Sequence, residues 1–162
     1  MAYVARFATT RAKLASYLQR KIKEKGWDAP QRPDVAALVE RLATLGYIDD
    51  AAFALFKARS LGARGYGERR VDQALRHAGV EEADGAPARE AASDGATAAA
   101  IRYAQRRRLG PFALQRPDPK ARDRAFAAML RAGHGFDLAR RLIDLAPDQG
   151  VDPERLERSL ET

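Results

Sequence analysis

Two histidines and a pair of adjacent aspartates are the residues best suited to acid–base or metal chemistry in this chain. His77 and His134 lie 57 positions apart, without the short spacing of a metal-binding pair, and the sequence has no cysteine. Asp49 and Asp50 open an apolar-periodic segment, where capping and the first turn of a helix explain both. We therefore predict no catalytic residue, no metal site and no cofactor, and a protein that is not an enzyme.

Binding of phosphates or carboxylates by cations is the other chemistry that the sequence offers. Lys and Arg number 29 against 22 acids, a net charge of +7 that favours a polyanionic partner, nucleic acid first, over charge that serves solubility alone. With about 100° per helical residue, cations cluster opposite the apolar face of three segments. The predicted contact residues are Arg20, Lys23, Arg64, Arg69, Arg70, Arg76, Arg106, Arg107 and Arg108.

Three glycines mark the architecture that must position these cations. Gly26, Gly79 and Gly133 each follow an amphipathic helical segment, at steps of 53 and 54 residues. The apolar residues before them also correspond, since Leu18 and Ile22 align with Val71 and Leu75, and these with Ala125 and Met129. A period near 50 residues with a helix-ending glycine is typical of stacked helical repeats. The sequence predicts an all-α fold of three tandem three-helix repeats in an elongated, curved solenoid.

The repeat boundaries follow from the turn and capping signals. We predict a first repeat over 1–47 with a short N-terminal helix, a second over 48–94, a third over 95–147, and a C-terminal tail over 148–162 with a short helix. Thr10, Asp34 and Asp118 are predicted N-caps. The helix after Asp49 should carry Phe53, Phe56 and Leu61 inward. Gly85 and Pro87 interrupt 81–94, which predicts a short, mobile or displaced helix there.

Neither a membrane nor export is indicated. No apolar run approaches the roughly 20 residues that span a bilayer. Residues 1–7, which look like the last turns of a helix, lack a signal-peptide pattern. With no cysteine to form disulfides, the expected location is a reducing cytoplasm.

Three blocks of sequence form an ordered set along the chain. The strongest is RLATLGYIDDAAFA over 41–54, with its Gly-Tyr-hydrophobic-Asp-Asp core followed by Phe-Ala. The others are RGYGERRV over 64–71, together with Ala74-Leu75 and Gly79-Val80, and FDLARRLI over 136–143. As a set they resemble the RecX family, bacterial regulators of the RecA recombinase. The second block is similar to the family's basic Gly-x-Gly segment and following helix, and the third is similar to its last-repeat helix. The resemblance runs over essentially the whole chain. It departs from the family at 81–94 and at His134, where an apolar residue is expected.

The resemblance implies a non-enzymatic modulator that binds in the groove of the RecA filament on single-stranded DNA and suppresses its ATP hydrolysis and strand exchange. It implies the RecA filament as partner, and the basic faces add weak, non-specific binding of single-stranded DNA by a protein that we expect to be a monomer. Two alternatives stay open. One is a direct, sequence-independent nucleic-acid-binding protein, although aromatic platforms for stacked bases are sparse. The other is a helical scaffold with no further function.

Overall fold

The computed structural model describes residues 9–28, 30–148 and 150–161, and throughout these ranges the regular secondary structure is helical. The predicted helix end at residues 1–7 lies outside them. The α-helices are α1 (Arg11–Lys25), α2 (Val35–Thr44), α3 (Asp50–Ala63), α4 (Glu68–His77), α5 (Glu82–Asp94), α6 (Ala96–Arg107), α7 (Pro119–Arg131), α8 (Phe136–Asp144) and α9 (Pro153–Glu161), with a 3-10 turn at Gly110–Phe112. The all-α prediction is confirmed for the described residues. No described helix has the length and apolar character needed to cross a bilayer.

Local capping explains where several helices begin. The side chains of Thr10, Asp34, Asp49 and Asp118 each accept a hydrogen bond from the backbone N–H three residues on, at 2.7–3.2 Å. Each bond satisfies one of the N–H groups that a helix start leaves without a partner. The predicted caps Thr10, Asp34 and Asp118 are therefore confirmed.

The three helix-ending glycines all have positive φ. Gly26, Gly79 and Gly133 have φ of 78°, 68° and 95°, a region that side chains other than glycine rarely enter. Gly79 and Gly133 follow the C-cap residues Ala78 and Ala132, whereas Gly26 is itself the C-cap of α1. With its ψ of 176°, Gly26 lies outside the left-handed helical conformation in which many helices end.

Buried side chains form three clusters in chain order. The first is small, with Leu14, Val39 and Ile48 at its centre. The second lies among α3, α4 and α5, and the third gathers α6 to α9. Positions that correspond between the predicted repeats differ in burial. Leu75 and Met129 are fully buried, whereas Leu18 and Ile22 are only partly buried. The first cluster is thus the thinnest part of the described core.

Two predictions about the second cluster are wrong. Phe56 was expected to face inward, yet 68% of it is exposed. Residues 82–94 form a 13-residue helix, α5, despite Gly85 and Pro87. The buried Ala88 packs with Ala54 and Ala58 of α3, and this packing outweighs the weak helix propensity. Gly85 leaves room for the Arg89 guanidinium of its own helix.

The start of α1 lies against the end of α4, and we call this contact the first junction. The Thr10 hydroxyl donates to the Ala78 carbonyl at 2.6 Å, and a Cβ on Gly79 would collide with the Ala12 side chain. The backbone N–H of Arg11 donates to buried Asp50 at 3.0 Å. The Arg11 guanidinium lies 3.3–3.7 Å from three carboxylates, those of Glu40, Asp50 and Asp84. From the sequence, Asp50 is explained only by its place in the first turn of a helix. In the structure Asp50 also accepts the hydrogen bond from Arg11 and so takes part in the first junction.

The start of α4 meets the end of α7 in the same way, at the second junction. The backbone N–H of Gly67 donates to Ala132 at 3.0 Å, and that of Arg69 donates to Gly133 at 3.2 Å. A Cβ on Gly67 would lie 2.4 Å from the Gly133 carbonyl oxygen. Buried His134 closes the contact, with its Nε2 3.1 Å from the Gly65 carbonyl. Glycine at both faces lets the two backbones touch.

Candidate functional site

All nine predicted contact cations are exposed on the structure. They lie on or beside four helices: α1 carries Arg20 and Lys23, α4 carries Arg69, Arg70 and Arg76, Arg64 follows α3, and Arg106 to Arg108 end α6. No group of acids and histidines in the described ranges could hold a metal ion. What the surface offers is recognition of anionic groups by guanidinium and ammonium donors.

A cleft between α1 and the C-terminal end of α4 brings two of these cations together. Arg20 from α1 and Arg76 from α4 line it with Lys13, in a volume of about 370 Å³. No acidic residue lines this cleft, which we call the basic cleft. The first junction positions it, because Thr10 and Gly79 hold α1 against the end of α4. Lys13 also lies 5.0 Å from the centre of the Phe53 ring.

Acidic neighbours hold part of this positive charge. Arg76 pairs with Asp72, whose other oxygen accepts from Arg89 at 2.9 Å. The hydrogen bond from Arg89, and then the charge of Arg76, lower the pKa of Asp72. Arg76 is therefore oriented by a carboxylate that stays ionised.

The two predicted contact cations of α1 differ in whether an acid pairs with them. Arg20 lies 3.6 Å from Glu24 and stacks over Tyr17 at 5.6 Å. The hydrogen bond from Lys21 lowers the pKa of Glu24. Lys23, in contrast, makes no ion pair with the residues that the structure describes. Of this pair, Lys23 keeps its charge available to a partner.

The remaining cations of α4 and its flank are mostly free of acids. Arg69 forms no ion pair within the described ranges, and Arg70 donates to the neutral Gln73 at 2.9 Å. Arg64 caps α3, donates to the Ser60 carbonyl at 3.3 Å and lies 5.5 Å over the Tyr66 ring. These three guanidinium groups are exposed and partly oriented, a state suited to binding phosphates or carboxylates.

The Arg106 to Arg108 cluster occupies another part of the surface and does not line the basic cleft. Arg107 lies 5.7 Å over the Tyr103 ring. Arg108 has φ 53° and ψ 53°, and it is the one non-glycine residue with positive φ among those described. The nine predicted cations therefore lie on at least two surfaces of the described structure.

Two residues of the site were not predicted as such. Lys13 is exposed on α1, but nothing local in the sequence places it in a cleft with Arg76. The role of His134 also depends on a distant contact. Burial lowers the pKa of His134 from 6.5 to about 4, against the smaller raising effect of the Gly65 carbonyl. His134 is therefore a neutral structural group at the second junction, while His77 is exposed at the end of α4.

Sequence comparison finds relatives over nearly the whole chain. The regulatory protein RecX of Myxococcus xanthus is 35% identical over 161 residues, which cover 90% of this chain and 82% of the relative. The regulatory protein RecX of Agrobacterium fabrum is 29% identical over 88% of this chain and 78% of the relative. The protein of that name in Mycobacterium sp. strain JLS is 36% identical over half of this chain and 43% of its own length. No family profile matches the chain.

Proposed function

Because the chain belongs to the RecX family, we propose that it is a non-enzymatic regulator that binds the RecA filament on single-stranded DNA. Bound there, it inhibits or modulates the filament's ATPase and strand exchange in recombination and DNA repair. The observation that carries this proposal is the basic cleft, in which Arg20 and Arg76 meet at a junction of two helices. A regulator acting through such a surface needs no catalytic group.

The proposed body is a chain of three tandem three-helix units, 1–47, 48–94 and 95–147, with 148–162 as a tail. The two junctions support it, because each places the start of one glycine-ended helix against the end of the next. Ala78 and Ala132, the carbonyl acceptors at the two junctions, are 54 residues apart, which is the spacing of Gly79 and Gly133. We propose that this pattern gives an elongated, curved monomer.

An elongated body suits a filament, which presents the same surface on every protomer. Contacts from different units to neighbouring protomers are individually modest, but they combine through effective concentration. Exposed cations such as Arg69, Arg70 and Lys23 act mainly on association rate and salt dependence. Direct DNA binding is then weak and sequence-independent, because cations on helix faces meet phosphates without reading bases.

The decisive experiment compares binding to a labelled single strand alone with binding to the same strand coated by the cognate RecA. We expect the coated strand to bind the wild-type protein at least tenfold more tightly. The variant Arg20→Ala/Arg76→Ala should lose much of this affinity. The slope of log affinity against log salt concentration should become shallower by up to about 2. Arg41→Ala/Arg155→Ala, which removes two exposed arginines outside the cleft, is the matched control.

Equal affinity for bare and coated strands would replace this proposal by the alternative of a direct nucleic-acid-binding protein. Binding to neither, by a protein whose helical content and melting temperature show it to be folded, would leave a helical scaffold. A strong preference for one base sequence would contradict both readings of the basic cleft.

A further inference from the structure

A second cavity lies in the third cluster, away from the basic cleft and outside the function proposed above. It is formed between the loop after α6 and the helix α7, and its volume is about 330 Å³. Its walls are aliphatic, and the lining includes no aromatic residue and no acid. We call it the loop pocket, and its lining includes Leu109, Ala113, Leu114, Ala121, Ala125 and Ile143.

An apolar side chain stands exposed beside this pocket. Leu114 lines the pocket and is 70% exposed, the highest value among the large hydrophobic residues of the described chain. Burying such a side chain against a partner removes apolar surface from water, at about 25 cal/mol for each Å². An aliphatic anchor from a partner fits this environment, because the walls offer van der Waals contact and few polar groups.

Three cations lie on or beside the residues that line the pocket. Arg108 lines the pocket, and Arg116 and Lys120 are exposed neighbours of lining residues. None of these three forms an ion pair with a residue that the structure describes.

The nearby acids are already engaged. Asp118 caps α7, Asp144 pairs with Arg122, and Asp148 accepts from the Gly150 N–H. A carboxylate that accepts from a backbone N–H keeps its charge, but none of these acids lies within ion-pair distance of Arg108, Arg116 or Lys120. These three cations are therefore open to carboxylates from outside.

Arg108 is also the C-cap of α6, and its left-handed conformation, with φ and ψ of 53°, is a common way for a helix to end. A non-glycine residue in this region costs on the order of 1 kcal/mol. Glycine would fit this position without strain, but it would bring no guanidinium to the pocket.

We propose that the loop pocket is a docking site for an acidic protein segment with an aliphatic anchor residue. The anchor enters between Leu114 and Ala121, and carboxylates on either side of it meet Arg108, Arg116 and Lys120. A nucleic acid fits less well, because a base would find no aromatic surface in the pocket on which to stack.

The test uses two labelled 12-residue peptides with the full chain. In one, a central Leu is flanked by Asp and Glu; in the other, Ser replaces that Leu. We expect saturable binding of the Leu peptide, with Kd on the order of 100 µM, and binding about tenfold weaker for the Ser peptide. Equal binding of the two peptides, or no saturable binding of either, would overturn the proposal.

Three variants separate the pocket from general charge. Leu114→Ser and the pocket-filling Ala121→Phe should each weaken the Leu peptide about tenfold, whereas Leu38→Ser, at an exposed leucine outside the pocket, should not. Arg108→Gly should weaken it about threefold while the melting temperature stays equal or rises, because glycine relieves the backbone. Arg41→Ala is the charge-matched control.

A third probe, an oligothymidylate labelled in the same way, tests the other class of occupant. We expect its binding to be unchanged by Ala121→Phe and Leu114→Ser. If these substitutions weaken the oligonucleotide as much as the peptide, the pocket holds nucleic acid and the proposal is wrong.

Discussion

The two junctions place equivalent helix ends together but use different chemistry. At the first, side chains make the contact: the Thr10 hydroxyl meets Ala78, and Arg11 lies among three carboxylates. At the second, backbone meets backbone at Gly67 and Gly133, and the neutral ring of His134 fills the remaining space. The first junction has an ion-pair cluster that the second lacks, although Gly79 packs closely on Ala12 there as well. The two junctions should therefore differ in their response to salt.

The largest effect is expected from filling the second junction. Gly67→Ala places a Cβ 2.4 Å from the Gly133 carbonyl oxygen, and neither atom can move away without a shift of the backbone. Overpacking together with disturbance of two backbone hydrogen bonds should lower the free energy of unfolding by about 3 to 5 kcal/mol, measured by urea denaturation. Gly62→Ala is the control, since nothing lies within 4 Å of the added Cβ and alanine favours the helix. A similar, small effect of both substitutions would show that the second junction is loose.

Acid should act next, through His134. Its folded pKa of about 4 lies below the value of 6.5 for the unfolded chain, so the unfolded state binds more protons between these values. Stability should therefore fall by up to about 3 kcal/mol as pH drops from 6.5 to 4. His134→Met removes this titration, and the difference between the two stability–pH curves isolates it. Parallel curves across that range would mean that His134 is not buried and neutral.

The first junction should respond to acid in the opposite sense. Burial raises the pKa of Asp50, against the lowering effect of the Arg11 N–H and guanidinium. The folded state then binds more protons than the unfolded state just above pH 3.8, so this contribution falls as pH rises there. The contribution of Asp50 is present in the stability–pH curves of both the wild type and His134→Met, so it cancels in their difference.

The smallest of these effects should come from Arg11→Met. It removes the guanidinium from Glu40, Asp50 and Asp84 but keeps the backbone bond to Asp50. Because the Arg11 side chain is 36% exposed, we expect a loss of about 1 to 2 kcal/mol, reduced in 1 M salt as screening weakens the wild-type contact. Gly67→Ala should show no such salt dependence. If salt left the cost of Arg11→Met unchanged, the first junction would not be held by charge.

Local sequence signals predicted most helices and their ends. An N-cap side chain bonds to the backbone only three residues away, and a glycine permits a positive φ at its own position. Thr10, Asp34, Asp118 and Gly79 were predictable for this reason. The junctions were not, because Thr10 and Ala78 are 68 residues apart and only the fold brings them together. The basic cleft was missed in the same way.

Tertiary packing also overrode local preference. The helix α5 contains Gly85 and Pro87, which predict a break, yet its small residues allow it to pack closely on α3. Phe56 lies on the helix predicted to carry it inward, but the α3–α5 contact is made through alanines such as Ala54 and Ala58, and Phe56 stays exposed. Helical periodicity predicts which side of a helix is apolar, but it does not identify the neighbouring helix that buries that side.

We propose that exposed cations allow this protein to regulate the RecA filament, and the measurement that bears on this proposal is the single-strand-dependent ATPase of the cognate RecA. We predict that the wild-type protein lowers this ATPase without hydrolysing ATP itself. Arg69→Glu/Arg70→Glu should inhibit less while keeping its helical content and melting temperature, because both side chains are exposed and neither pairs with an acid among the described residues. The claim is contradicted if folded wild-type protein, in excess over filament protomers at moderate salt, neither binds the filament nor changes its ATPase.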